Sequence, residues 1–298
     1  MGAALGKITR LIVPIVLSAA LAAAQTTQLA HVDFADPEAK PETVADDADF
    51  PFLLPMSGTS LLKTTRISEP LEVKPASADS EAMLAGLSFV EKAYSAPVNV
   101  WNEAFITLYR DALVLHGWRI VDQPPAAATE GNPHVINLSA HYAGNGRDLY
   151  ARISRTPDGG YEISVADVGA EDWGGILDRT CRLPVFSAHF KRELTFDYED
   201  SRPAIEKLAG VIRSRPQDKF QVQGHTDNVG DEKELMTLSL RRAGLVNMAL
   251  VKSGAPEGRL GFVGYGKSRP LVPNDTDWGR TKNRRIEIER QGCTPAGY

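Results

Sequence analysis

The stretch Phe220-Gln221-Val222-Gln223-Gly224-His225-Thr226-Asp227-Asn228-Val229-Gly230 decides the fold of the C-terminal part of this 298-residue chain. Phe220 and Val222 alternate with polar residues, the period of a half-buried strand. Asn228 and Gly230 are turn formers, so Asp227 stands where a strand gives way to a loop. Downstream, residues 234–252 carry a helical period: at about 100° per residue, Leu235, Leu238, Leu245, Val246 and Ala249 share one face. A strand, a loop and a helix in this order place Asp227 at the carboxyl edge of a sheet, where ligands usually bind.

Arg242 lies near the centre of the apolar helix face. A guanidinium among apolar neighbours is costly unless it is paired and hydrogen-bonded, and arginine is the side chain that grips carboxylates bidentately. Asp227 and Arg242 together offer an anion and a cation, a set that suits a zwitterion with ammonium and carboxylate on one carbon. The residues alone leave a second reading open, an internal Asp227–Arg242 salt bridge that orders the loop.

Four short signatures fall in one order: Gly224-His225-Thr226-Asp227, Leu238-Ser239-x-x-Arg242-Ala243, Gly264-Tyr265-Gly266 and Asn283-Arg284-Arg285. Their order and spacing resemble the OmpA-like domain, the module that holds peptidoglycan in Gram-negative envelopes and flagellar stators. The resemblance covers about residues 183–291. It implies that Asp227 takes the ammonium and Arg242 the carboxylate of diaminopimelate in the stem peptide. Thr226 and Asn228 would add hydrogen bonds, and Arg285 a second carboxylate contact unless it is a plain strand-edge arginine. Asn283 is expected to fix a turn. Gly224 and Gly266 are expected to serve the backbone, through close approach or positive φ. Two departures stand out: Leu235 replaces a frequent asparagine, and the family's Phe-Asp-Phe-like run appears as Phe190-Lys191-Arg192-Glu193, where Lys191 would alter affinity.

The expected fold class is α+β. The C-terminal domain, residues 181–293, reads β-α-β-α-β-β over 185–190, 201–213, 220–224, 234–252, 260–264 and 284–289, a mixed sheet with helices packed on it. Residues 81–175 read as a smaller α+β unit of unknown role. A strand covers 87–94. A helix follows with Trp101, Ala104, Phe105, Leu108, Ala112 and Leu115 on one face, stopped by Gly117. Three strand-like runs at 135–142, 149–153 and 161–165 come next, with Asn145-Gly146 and Asp158-Gly159 as hairpin turns. His141, Asp148 and Asp167 sit at hairpin ends, the ordinary place for polar residues. Trp118 and Trp173 are expected in a core or an interface.

Lys7 and Arg10 precede an apolar run from Leu11 that ends at Ala22-Ala23-Ala24, the pattern of a secretory signal over residues 1–24. Pro14 and the short length argue against an uncleaved anchor, so the mature chain is expected to start at Gln25 and to carry no transmembrane span. Residues 25–80 read as an acidic, largely loose leader, with Leu71-Glu72-Val73 as a short strand. The two cysteines, Cys181 and Cys293, bracket the C-terminal domain. In an oxidising compartment an even pair indicates a disulfide, worth roughly 4–5 kcal/mol in the loop-entropy account; the alternative is two unrelated buried thiols.

Charge divides unevenly, with 20 basic against 15 acidic residues from Cys181 onward and 13 against 23 before it. A mildly basic domain beside an acidic remainder fits an anionic wall polymer, and the export signal argues against nucleic acid. The function expected is non-catalytic, non-covalent peptidoglycan binding in the periplasm, next to the wall and outer membrane. No cofactor, metal or catalytic residue is assigned. Residues 84–170 are open to another envelope protein. Two alternatives stand beside this reading. One is a protein–protein scaffold with a degenerate OmpA-like domain. The other is a wall hydrolase, for which His225 and Asp227 lack a third metal ligand and Ser239 lacks a nucleophile elbow.

Overall fold

The computed structural model describes residues 53, 55–56, 58–73, 82–96, 100, 102–122, 137–191 and 195–296. The signal and the acidic part of the leader therefore lie outside the described residues, as do Trp101, Arg192 and Glu193. Two units stack on each other, one built on a six-stranded sheet and one on a four-stranded sheet.

The first unit holds β1 (Leu61–Ile67), β4 (Phe89–Tyr94), α1 (Asn102–Leu115), β5 (Arg119–Asp122), β6 (Asn137–Gly144), β7 (Arg147–Arg155) and β8 (Tyr161–Asp167). Its strands run in the order β1-β4-β8-β7-β6-β5, every pair antiparallel. The expected meander is β6-β7-β8, joined at Asn145-Gly146, where both residues have positive φ, and at the turn before Tyr161. β1 overturns part of the leader reading: from Leu61 the chain forms an edge strand paired to β4, because Leu61-Leu62-Lys63-Thr64-Thr65 is β-branched and apolar enough to join a sheet.

α1 buries Phe105, Ile106, Tyr109 and Leu113, whereas Leu115 is 82% exposed. The helix face is thus turned from the expected one toward the tyrosines. Tyr161 stacks on Tyr94 with ring centroids 4.9 Å apart and meets Phe105 edge-on at 5.3 Å. Alternation does the rest: Leu149, Ala151 and Ile153 of β7 face α1, while Tyr150 faces the second unit.

The second unit holds α2 (Trp173–Thr180), β9 (Arg182–Val185), α3 (Tyr198–Arg213), β10 (Phe220–Gly224), α4 (Glu232–Lys252), β11 (Leu260–Gly264), α5 (Asp277–Asn283) and β12 (Ile286–Arg290). The sheet order is β11-β10-β12-β9, with β10 parallel to β11 and the other neighbours antiparallel. This is the mixed sheet expected. The first strand lies earlier than expected: Leu183 and Val185 pair with Ile288 and Ile286. The chain leaves the ladder at Phe186, and Phe190 forms only an isolated bridge to Phe196. α5 was not anticipated; Thr276 caps it by accepting from Gly279 N at 3.0 Å. Cys181 and Cys293 form a disulfide with Cα atoms 5.7 Å apart, tying the end of α2 to the segment after β12.

A short hairpin, β2 (Leu71–Val73) with β3 (Met83–Ala85), pairs only with itself. Leu71, Val73 and Ala85 nevertheless share one core with Val222, Val246, Ile286 and Tyr150. Across the same boundary Tyr150 Oη lies 3.0 Å from His189 Nε2, and Arg119 pairs with Asp200. Trp173 is buried in this core and Trp118 packs against Tyr142. His141 Nε2 sits 2.7 Å from Asp148, and Arg147 Nη2 donates to Asp167 at 2.7 Å, so the hairpin-end polar residues serve one another and their neighbours.

Candidate functional site

Glycine brings the signatures together. A Cβ at Gly224 would stand 2.0 Å from the Ser239 carbonyl oxygen, so glycine is what lets α4 lie directly on the end of β10. Ser239 uses its hydroxyl within the scaffold: it donates to Met236 O at 2.9 Å and accepts from Gly266 N at 2.8 Å. Gly266 has φ +51°, which turns Gly264-Tyr265-Gly266 back toward the helix. Thr226 N donates to Gly266 O, and His225 N to Arg285 O, both at 3.0 Å. The Gly-His-Thr-Asp loop is thereby held from both sides.

Asp227 is buried, with 8% exposure. Its Oδ1 accepts from Val229 N at 3.0 Å, an Asx turn, and its Oδ2 accepts from Arg284 Nη1 at 2.7 Å. Arg284 Nη2 also donates to Thr281 Oγ1 at 2.9 Å. Arg284 is thus the arginine of Asn-Arg-Arg that meets the aspartate. Asn283, fully buried, fixes the preceding loop by accepting from Leu271 N and Val272 N and donating to Val272 O and Asn274.

Arg242 is also buried, on the core side of α4 with Leu235, Ser239, Ala243 and Val246. Its guanidinium carbon stands 5.1 Å from the centroid of the Phe190 ring, cation–π distance. Arg242 and Arg284 line one cleft of about 50 Å³ with Phe186, His189, Phe190 and Thr281. Ala82, Met83 and Leu84, which lie ahead of both arginines in sequence, also line it. Asp227 does not itself line this cleft; it is linked to it through Arg284, which lines the cleft and donates to Asp227 Oδ2. Burial, and then the charge of His141, push the His189 imidazole down to about 3, so it enters the cleft neutral.

The remaining expected residues divide. Asn228 is exposed next to Asp227. Thr226 is 2% exposed and its hydroxyl donates to Asp227 O at 2.9 Å, so it braces the loop. Arg285 departs from expectation. It turns to the opposite side, where it bonds Glu287 Oε2 through Nη2 at 2.9 Å and Nε at 3.2 Å, neither contacting the Arg242 cleft nor lying exposed. Successive side chains of an extended segment point to opposite faces, and Arg284 and Arg285 are successive. Arg285 lines a second cleft of about 490 Å³ with Arg182, His225, Arg269 and Glu287. There His225 stacks on Tyr265, its ring nitrogens have no hydrogen-bond partner among the described residues, and burial followed by the charges of Arg285, Arg269 and Arg182 pushes it down to about 3.

Residues 194–284 match the model of the OmpA family. Over these residues the chain is similar to the OmpA family. Over 92 residues the chain is 44% identical to outer membrane porin F of Pseudomonas aeruginosa, covering 30% of this chain and 26% of that protein. It is 36% identical over 92 residues to the peptidoglycan-binding protein ArfA of Mycobacterium bovis, covering 31% and 27%. The C-terminal domain of MotB from Helicobacter pylori is similar at 33% identity over 31% of this chain and 73% of that one, with a TM-score of 0.30. The chain spans under a third of the length of these two curated relatives.

Asp197 caps α3 by accepting from Asp200 N at 3.4 Å. Lys191 lies ahead of the matched residues 194–284. Its ammonium pairs with Asp197 at 3.2 Å, and its side chain is 67% exposed. Leu235, the other departure, is buried against Gly230 of the aspartate loop. Sequence reasoning missed Arg284, Phe190 and His189 as cleft residues. The Asn-Arg-Arg signature pointed at the first of these, but the strand register that separates its two arginines is a tertiary fact.

Proposed function

We propose that this protein binds peptidoglycan without catalysis, through the diaminopimelate of the stem peptide, and so anchors itself to the wall in the periplasm. The observation that carries the reading is the arrangement of Arg242 and Arg284 in one cleft, with Asp227 held 2.7 Å from Arg284. A diaminopimelate centre carries one ammonium and one carboxylate. Arg242 and Arg284 meet the carboxylate, and Asp227, sharing its charge with Arg284, meets the ammonium. Partial burial strengthens each contact relative to water. Thr226 contributes by positioning Asp227, and Asn228 by exposed polar contact at the loop.

The relatives support the class of ligand: one is named as a peptidoglycan-binding protein and another as an outer membrane protein. Chemically, charge complementarity in a preformed cleft is sufficient for reversible binding, and the site needs no nucleophile. Among the described residues no helix is long and apolar enough to cross a membrane. A partner docked on residues 84–170 would be tied to the wall by the same contacts.

The test is co-sedimentation of the mature chain with purified diaminopimelate-type peptidoglycan, beside Asp227→Ala and Arg242→Ala checked for folding. Wild type is expected to pellet and both variants to lose binding by about tenfold or more, the size of one or two charge-assisted bonds. Equal pelleting of all three would remove the cleft from the function.

A further inference from the structure

The cleft that carries Arg242 and Arg284 belongs to the OmpA-like domain, yet part of its wall comes from Ala82, Met83 and Leu84, which lie outside the matched residues 194–284. We infer that the β2–β3 hairpin is an autoinhibitory cover on the diaminopimelate cleft, and that the full chain binds wall only when the hairpin moves aside. The inference rests on the reading of that cleft given above.

Three observations carry it. The cleft holds only about 50 Å³ with the hairpin in place, whereas pockets that take a ligand run from about 300 Å³ upward. The hairpin pairs with neither large sheet; its three residue pairs, Leu71 with Ala85, Glu72 with Leu84 and Val73 with Met83, are its whole ladder. A two-stranded hairpin alone is marginal in water, so side-chain contacts hold it where it is. One of those contacts is made to the helix next to the site. Glu69, just ahead of β2 and about half exposed, pairs with Lys282 of α5, the helix that also supplies Thr281 and is capped by Arg284. Met83 and Ala82, nearest the start of β3, are only partly buried, while Leu71, Val73 and Ala85 are fully buried. Of the cleft-lining residues of this segment, Ala82 and Met83 are thus partly exposed, while Leu84 is buried.

A cover of this kind lowers apparent affinity by the fraction of time it is open: a site open for about a tenth of the time binds about tenfold more weakly than the open form. Its signature differs from that of a fixed wall. Loosening a cover tightens binding, whereas loosening a wall weakens it. Ligand also speeds backbone exchange in a cover it displaces and slows it in a wall it touches.

The experiment measures binding of a purified disaccharide tetrapeptide containing diaminopimelate to the full mature chain. The set is wild type, Glu69→Gln, Met83→Ser and Arg242→Ala, with amide hydrogen exchange followed on wild type. Glu69→Gln and Met83→Ser are each expected to bind about 3- to 10-fold tighter than wild type, as the open fraction rises. The amides of 71–73 and 83–85 are expected to exchange faster when the muropeptide is added. Glu69 is half exposed, so its variant keeps the measurement informative if Met83→Ser fails to fold. Unchanged or weaker affinity in Glu69→Gln, with slower exchange in 83–85, would overturn the cover; if Arg242→Ala alone abolished binding in that case, the cleft reading would stand. Absence of muropeptide binding by every chain in the set would overturn both.

Discussion

The cleft that carries Arg242 and Arg284 and the cleft that carries Arg285 share no lining residue, although Arg284 and Arg285 are neighbours in the chain. The larger, at about 490 Å³, has its arginines matched from within. Arg285 is chelated by Glu287, and Arg182 pairs with Glu289 at 3.2 Å and Glu287 at 3.7 Å. The smaller, at about 50 Å³, places two guanidiniums beside an aromatic ring, one of them paired with an aspartate, and is lined in part by the β2–β3 hairpin. The proposed function assigns binding to the smaller of the two. On that proposal Arg285 is set apart because its own strand supplies a carboxylate two residues on, Glu287.

That contrast breaks most visibly at Arg285. Arg285→Ala leaves Glu287 buried with only Arg182 nearby, and loss of one member of a buried pair costs about 3 kcal/mol. A urea midpoint shift of that size is expected, while the folded fraction keeps wild-type wall binding. Arg284→Ala should do the reverse, lowering wall binding by about tenfold with a stability loss of about 1–2 kcal/mol. If Arg285→Ala abolished binding at unchanged stability, the assignment of the two clefts would be inverted.

The histidines sharpen the comparison next, since His189 lines one cleft and His225 the other. Both are pushed down to about 3 in the fold, against about 6.5 when unfolded. The unfolded chain therefore binds more protons between those values, so stability is full above about pH 6.5 and falls as pH drops toward 3. Between pH 7 and pH 5 the loss is expected to be about 1–2 kcal/mol for each histidine. Denaturation curves at the two pH values measure it, and His225→Gln should flatten the difference by its share. A pH-independent midpoint in wild type would show that neither ring is held neutral.

The smallest effect expected is at Lys191. Its ion pair with Asp197 is largely exposed, and exposed pairs contribute about 0–1 kcal/mol. Lys191→Ala should leave wall binding unchanged. A marked change in affinity would instead support the expectation that Lys191 alters wall binding.

Much of the fold was legible in advance because periodicity is a local property. β10, α4 and β11 fall where alternation and the helical period placed them, and Asn145-Gly146 closes the hairpin expected of it. The misses have separate local causes. β1 was hidden because Leu61–Ile67 has a strand's composition but an exposed edge, so no buried alternation marks it. α5 was hidden because it is seven residues long, too short for a helical period to register. The shift of the first strand to Arg182–Val185 reflects Phe186 and Phe190 packing outside the ladder, where apolar residues still look like strand.

The sequence by itself determined the spacing of the four signatures, the placement of Asp227 at a strand end and of Arg242 on a buried helix face, and the cysteine pair that closes as a disulfide. These follow from residue type and from distances along the chain. Tertiary structure alone decided that Arg284 rather than Arg285 meets Asp227, that Phe190 lies under Arg242, and that a hairpin more than a hundred residues upstream covers the cleft. The physical reason is that strand register and the docking of one unit on another are set by summed packing over many residues, and no local pattern encodes that sum.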